Sequence, residues 1–231
     1  MKPEYLVLFK LSAAFLALFA IAEFMLHVFR LKAEYTRKIV HIGTGILTLL
    51  FPLYLDFVWQ VVVICGAFFV LLVLSRRFRL LQSINGIERK SEGSLLYPVI
   101  VILVFFFYKY QEGRTTIFNN HLYFYLPMLL LAICDPVAAL TGSGMQNKKN
   151  LPAGKTWYGT AAFFVTAAIV SSALLVVYNI SSVSATFVFT AASTIAVATA
   201  LAEKWSKGGW DNFTIPLVAM LCLIFLENLV L

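Results

Sequence analysis

The sequence predicts an all-α, polytopic integral membrane protein with about eight transmembrane helices, and three observations carry this prediction. Of the 231 residues, 61% are hydrophobic, and the mean hydropathy of +0.88 is too high for a soluble chain of this length. No polar stretch is long enough to form a second domain, so residues 1–231 are predicted to be a single transmembrane domain. Apolar stretches of about 20 residues, enough to cross a bilayer, lie near 5–29, 38–55, 57–75, 94–110, 121–142, 157–178, 183–203 and 212–231.

The basic residues predict how these helices are oriented. Cytoplasmic loops carry an excess of Lys and Arg, and with eight crossings most basic residues fall in alternate connections near 30–38, 76–93, 143–156 and 204–211. The opposite side keeps Lys2, Lys10, Lys109 and Arg114. Both termini are therefore predicted to be non-cytoplasmic, with the four basic loops in the cytoplasm, at the inner membrane if the source is a bacterium. This placement accounts for the net charge of +7, and no nucleic-acid partner is expected.

An aspartate inside a predicted span marks the most informative of these loops. Asp135 lies about two turns before the cytoplasmic end of the span 121–142. An ionised carboxylate there costs roughly 2.5–3.5 kcal/mol and is typical of an ion or substrate site. Pro136 has no N–H to donate and is expected to open the helix. The alternative is a structural ion pair between Asp135 and a nearby lysine.

The loop that follows has the residue types of a phosphate site. Glycine lets the backbone approach phosphate, lysine supplies charge, and a new helix N-terminus supplies N–H donors. The loop offers Gly142, Gly154, Lys155 and Thr156 directly before the next apolar stretch. A carboxylate beside such a loop suits a phosphate-bound Mg²⁺.

The other three cytoplasmic loops bring further polar residues to the same side of the membrane. Taken singly, each of these polar residues has a simpler interpretation, as a membrane anchor or a helix cap. Their convergence with Asp135 and Lys155 favours a site instead. The residues are Arg37, Lys38 and His41 from "RKIVHIGTG", Ser94 from "EGSLLYP", and Glu203, Asp211 and Asn212 from "AEKWSKGGWDNFTIP".

These motifs resemble, in the same order, those of the membrane CTP-dependent lipid kinases that act on dolichol, phytol and farnesol, a family related to the phosphatidate cytidylyltransferases. The resemblance extends from Arg37 to Pro216 and includes "DPVAALTG" and "GKTWYGT". It implies transfer of the γ-phosphate of CTP, or of another nucleoside triphosphate, to a long-chain isoprenoid alcohol of the polyprenol, dolichol or phytol type. The expected partners are that membrane lipid, the nucleotide and the bilayer; a homo-oligomer is left open.

The resemblance also implies a role for each matched residue. Asp135 and Glu203 are expected to bind Mg²⁺, and Asp135, Lys155, Arg37 and His41 to act in catalysis. His41, from its placement, is the candidate acceptor of the hydroxyl proton. The expected nucleotide contacts are Lys38, Ser94, Gly142, Gly154, Thr156, Gly159, Asp211 and Asn212.

Two other classes of function stay open at this point. One is a cytidylyltransferase that converts phosphatidate into a CDP-lipid, although "RKIVH" favours the kinase branch. The other is an ion-coupled transporter without enzymatic activity, with Asp135 and Glu203 in the ion pathway. Against the transporter, the acids cluster at the cytoplasmic ends of the spans.

Overall fold

The computed structural model describes residues 3–86, 91–144, 155–178 and 184–230, and α-helices dominate it. The all-α prediction is confirmed, and a helix coincides with each of the eight predicted apolar stretches. A π-helical turn, Leu130–Cys134, joins α7 directly to α8. The helices are α1 (Pro3–His27), α2 (Ala33–Thr48), α3 (Phe51–Tyr54), α4 (Val58–Arg77), α5 (Gln82–Asn85), α6 (Gly93–Tyr110), α7 (Leu122–Leu129), α8 (Asp135–Gly144), α9 (Trp157–Val177), α10 (Ala185–Trp205) and α11 (Asp211–Val230).

Seven helical segments within the described ranges are long and apolar enough to cross a bilayer, as expected of a polytopic membrane protein. The predicted span near 38–55 corresponds instead to α2 and α3, and α2 has only 16 residues. Together, α2 and α3 nevertheless run from Arg37 to Asp56. The charge of Asp56 interacts with Tyr108, which lies near the end of α6 that is opposite to Gly93. The count of eight crossings and the orientation of the termini stay predictions. The seven segments are Glu4–His27, Val58–Arg77, Gly93–Tyr110, Leu122–Ser143, Trp157–Val177, Ala185–Trp205 and Asp211–Leu229.

Two groups of buried apolar side chains hold the bundle together. One joins α1, α2, α4 and α6, and the other joins α7 and α8 to α9, α10 and α11. The segment from α7 to α8 is the most buried of the seven spans and contributes to both groups. It is therefore the central helix of the bundle, and Asp135 lies on it.

Several helix ends meet at one end of the bundle. There α6, α9 and α11 begin, at Gly93, Trp157 and Asp211, and α10 ends. Thr156 caps α9, because its Oγ1 accepts a hydrogen bond of 3.1 Å from the amide of Gly159. The first amides of a helix have no helical acceptor and carry partial positive charge. This end of the bundle is thus suited to binding anions.

Candidate active site

A cavity of about 500 Å³ lies where these helix ends meet, and we call it the charged cavity. Its lining brings together residues that are far apart in the sequence. Ser94 lies outside the lining, and Gly154 falls outside the described residues. Most of the predicted site residues do line it: Arg37, Lys38, His41, Asp135, Gly142, Lys155, Thr156, Gly159, Glu203, Asp211 and Asn212.

Lys155 is the centre of the charged network in this cavity. Its Nζ lies 2.7 Å from Oε1 of Glu203 and 2.8 Å from Oδ2 of Asp211. The side chain of Glu203 is only 3% exposed, and its Oε2 accepts a hydrogen bond of 3.3 Å from Thr160. Burial lowers the pKa of Lys155, but the charges of Asp211, Asp135 and Glu203 raise it by more, so the pKa lies above its ordinary value. Lys155 is therefore a fixed positive charge at neutral pH.

The π-helical turn positions His41 against Asp135. The amide of Asp135 donates to the carbonyl of Leu130, five residues earlier. If this five-residue pattern continued, the Leu131 carbonyl would accept a hydrogen bond from the backbone nitrogen of Pro136. That nitrogen carries no hydrogen and cannot donate. His41 takes the vacant place, with Nε2 donating to the Leu131 carbonyl at 3.1 Å. The same Nε2 lies 3.7 Å from Oδ2 of Asp135.

This contact fixes the protonation pattern of the neutral His41 ring. A carbonyl oxygen only accepts hydrogen bonds, so Nε2 carries the hydrogen and Nδ1 is left as the acceptor. Pro136 was expected to open the helix, and it does so only over this one turn. The chain continues into α8, and one widened turn absorbs the missing hydrogen bond.

Glycines let two segments of the chain meet beside the charged cavity. The amide of Glu92 donates to the carbonyl of Gly208 at 2.7 Å, and Nδ2 of Asn212 donates to the carbonyl of Gly93 at 2.9 Å. Gly209 has a φ of +89°, and a Cβ on it would lie 2.4 Å from the amide nitrogen of Gly93. Gly208 and Gly209 were not among the residues predicted for the site. The signal was the glycine pair itself, just before Asp211.

Two arginines secure the start of α6. Nη2 of Arg37 donates to Oγ of Ser91 at 2.6 Å. Arg76 donates to Oγ of Ser94 at 3.0 Å and pairs with Glu92 at 2.6 Å. From the sequence, Arg76 was expected only as one basic residue of the loop near 76–93, and Ser91 was not expected at the site. Ser94, expected to contact the nucleotide, is thus held by Arg76.

Gly142 and Gly159 allow α8 to approach α9 closely. A Cβ on Gly142 would lie 2.7 Å from Oγ1 of Thr156, and one on Gly159 would lie 2.8 Å from the carbonyl oxygen of Ala138. Side chains at these positions would push the helices apart. The two glycines therefore help to place Lys155, just before α9, beside the helix that carries Asp135.

The carboxylates of the charged cavity are oxygen donors of the kind that suits Mg²⁺. Asp135 is close enough to Asp211 and Glu203 for their charges to interact. In the described parts of the chain, no three His, Cys, Asp or Glu side chains form a complete metal cluster. Mg²⁺ commonly takes one or two protein carboxylates and completes its shell with phosphate oxygens and water. The oxygen donors here agree with that pattern.

A membrane-type helical bundle with a charged cavity at one end defines a polytopic membrane protein with an enzyme-like site. No protein-family model matches the chain, and no solved structure matches it. A phytol kinase from Synechocystis sp. is 33% identical to it over 216 residues, which cover 90% of this chain and 86% of that protein. The chain therefore belongs to the membrane lipid kinase family that includes phytol, dolichol and farnesol kinases, as its motifs predict.

Proposed function

We propose that the protein is a membrane kinase that transfers the γ-phosphate of CTP to a long-chain isoprenoid alcohol from the cytoplasmic side. The observation that carries this proposal is that two cavities adjoin. The charged cavity shares Arg37, His41 and Asn212 with an apolar cavity among α1, α2, α4 and α6. A charged phosphate donor and an apolar acceptor can therefore meet at their boundary. The phytol kinase relative supports the same class of reaction.

The proposed reaction joins the alcohol oxygen to the γ-phosphorus while the bond from that phosphorus to the β,γ-bridging oxygen breaks. The products are a lipid monophosphate and CDP. The hydroxyl proton passes to Nδ1 of His41, the ring nitrogen that remains free to accept it. Lys155, with Arg37 and Lys38, stabilises the negative charge on the transferred group.

The triphosphate is placed against the start of α9 and α11. The partial positive charge at the start of these helices attracts anions, and Thr156, Gly159, Asp211 and Asn212 line the cavity there. Asp135, with Glu203, would hold Mg²⁺, which neutralises phosphate charge when it is bound. Lys155 keeps the carboxylates of Glu203 and Asp211 in place.

The position of the label in CTP tests this proposal. Detergent-purified protein with Mg²⁺ is given phytol, geranylgeraniol, a polyprenol and phosphatidate, with CTP labelled on either the α- or the γ-phosphate. Label in the lipid fraction from γ-labelled CTP alone is the expected result. Label from α-labelled CTP alone would overturn the kinase in favour of a cytidylyltransferase. No label from CTP or from ATP would overturn both.

The variant Asp135→Asn completes this experiment. It keeps the size of the side chain but removes the charge proposed to hold the metal, so turnover is expected to be lost without unfolding. Thermal unfolding in detergent checks that the fold is intact. Substantial activity of this variant in Mg²⁺ would reject the metal assignment.

A further inference from the structure

The apolar cavity that adjoins the site is narrow, with a volume of about 80 Å³. Its mouth lies at Arg37, His41 and Asn212, which also line the charged cavity, and at Ser94. Beyond the mouth, the lining consists mainly of apolar side chains. These side chains come from several helices of one half of the bundle, including Phe19 on α1, Val40 on α2, Leu72 on α4 and Val101 on α6.

The polar groups in this lining already have partners within the protein. The hydroxyl of Tyr97 donates to Oγ1 of Thr48 at 3.0 Å, and Thr48 donates to the carbonyl of Thr44 at 2.7 Å. Oγ1 of Thr44 in turn donates to the carbonyl of His41 at 3.0 Å. A ligand that entered the cavity would therefore meet hydrocarbon and satisfied hydroxyl groups. That environment favours an alkyl chain over a polar headgroup.

Phenylalanine rings close the part of the cavity that is farthest from the mouth. Phe51 follows His41 by ten residues along α2 and α3, and its ring lies 6.1 Å from that of Phe15. Phe15 in turn lies 5.2 Å from Phe68. All three are buried, and all three line the cavity.

We propose that this cavity holds the hydrocarbon chain of the lipid alcohol, with the hydroxyl at His41 and with Phe15, Phe51 and Phe68 limiting how far the chain enters. This inference rests on the proposed kinase function. A volume of about 80 Å³ is small even for one isoprenoid chain, so a long alcohol can enter only by pushing the lining side chains apart, and a second chain would require still more displacement. Val101 and Phe68 are then residues that determine specificity.

Two variants that change the cavity in opposite directions test the proposal. Phe68→Ala enlarges it, and Val101→Phe fills it. The matched control is Phe69→Ala, which changes the neighbouring side chain on α4, 37% exposed and outside the cavity lining. Kinetic constants are measured with prenol, geraniol, farnesol and geranylgeraniol, which differ by one isoprene unit each. Thermal unfolding identifies any variant that fails to fold.

The expected result is a change in chain-length preference. Val101→Phe raises the KM for geranylgeraniol about tenfold relative to prenol, since such pockets discriminate by this order for small differences in volume. Phe68→Ala shifts the preference toward longer alcohols, and Phe69→Ala leaves it unchanged. The KM for the nucleotide stays the same in all three. If the folded variants phosphorylate every alcohol in wild-type proportions, the proposed chain site is overturned. The proposed kinase function would not be affected by that result.

A binding measurement separates failure of the chain site from failure of the kinase. Geranylgeraniol with a diazirine at its far end is crosslinked to the wild-type protein, and the labelled peptide is identified by mass spectrometry. Labelling near Phe15, Phe51 or Phe68 supports the chain site even if no alcohol is phosphorylated. Labelling only of lipid-exposed side chains such as Phe69 would overturn it.

Discussion

The Nε2 atom of His41 lies 3.1 Å from the carbonyl oxygen of Leu131, because Pro136 leaves that carbonyl without its helical donor. The π-helical turn before Pro136 therefore positions His41, the proposed base. A histidine held through Nε2 presents Nδ1 as the proton acceptor, and Oδ2 of Asp135 lies 3.7 Å from the same Nε2. In this arrangement, Pro136 is a positioning residue.

The first prediction concerns Pro136. In Pro136→Ala, the new amide can bond to the Leu131 carbonyl and displace His41. We expect kcat to fall about tenfold, less than the roughly 10²–10⁴-fold loss expected for His41→Gln. The nucleotide KM should not change, because the phosphate-facing groups stay in place. Steady-state kinetics in detergent measure both constants.

The control for this prediction is Pro216→Ala, which removes a proline inside α11, away from the hydrogen bond between His41 and the Leu131 carbonyl. Its kcat should match that of the wild type. A Pro136→Ala protein with wild-type kcat would show that the Leu131 contact does not position His41.

Much of the fold was predictable from the sequence, because bilayer-spanning helices can be recognised by their length and hydropathy. The span near 38–55 was less regular than predicted. Its apolar residues continue past Thr48, but α2 ends there, and a separate short helix begins at Phe51 with Pro52 in its first turn. Hydropathy averaged over a window cannot detect such a break.

The sequence also indicated which residues meet at this end of the bundle, since an acid within an apolar span is typical of a functional site and most of the residues proposed with Asp135 line the charged cavity. The partners of these residues were not predictable. Nothing in the sequence indicates that Lys155 lies between Glu203 and Asp211, because that contact depends on how α9, α10 and α11 pack. Likewise, the buried role of Glu227 was missed. Its carboxylate accepts hydrogen bonds from the amide of Ile117 and the hydroxyl of Tyr123.

The second prediction compares two helical glycines, one closely packed against its neighbours and one with open space around it. A Cβ on Gly93 would lie 2.7 Å from Nδ2 of Asn212, whereas a Cβ on Gly66 would meet no atom within 4 Å. We expect Gly93→Ala to lower the unfolding temperature and the activity, because Asn212 must move and the contact with Gly209 must open. Gly66→Ala should be neutral or more stable by up to about 1 kcal/mol, since alanine favours a helix.

Thermal unfolding in detergent and kinase assays of the two variants check this prediction. If Gly93→Ala proved as stable and active as Gly66→Ala, the close approach of α6 and α11 would not be needed for the site.

The third prediction concerns the protonation of Lys155, whose pKa is raised by the surrounding carboxylates. Because the folded pKa lies above the unfolded one, the stabilisation from this charge is complete below the ordinary value of about 10.4. It is lost only as the pH rises through the folded pKa. Lys155 should therefore not cause any loss of activity between pH 7 and pH 9.

Amine acylation measures this protonation directly, because only the neutral amine reacts. At pH 8.5, Lys155 should react with a succinimidyl ester more slowly than the exposed Lys207, as followed by peptide mass spectrometry. In Asp211→Asn, which removes one of the charges that hold the proton, the rate at Lys155 should rise while that at Lys207 stays constant. Equal rates in the two proteins would contradict the electrostatic argument.

The last prediction separates the structural role of Lys155 from its catalytic role. Lys155→Met leaves the buried carboxylate of Glu203 without its cation, 2.7 Å away in the wild type. Breaking a buried pair in this way costs roughly 3 kcal/mol, because an uncompensated charge stays in a poorly solvated place. Glu203→Gln in the same protein removes that charge, so the double variant should regain most of the lost stability. Its activity should stay absent, since the double variant lacks both the ammonium that stabilises the transferred phosphoryl group and the Glu203 carboxylate proposed to hold Mg²⁺. Unfolding temperatures and kinase rates of the two single variants and the double variant form the test. Recovery of both stability and activity in the double variant would mean that Lys155 serves only to neutralise Glu203.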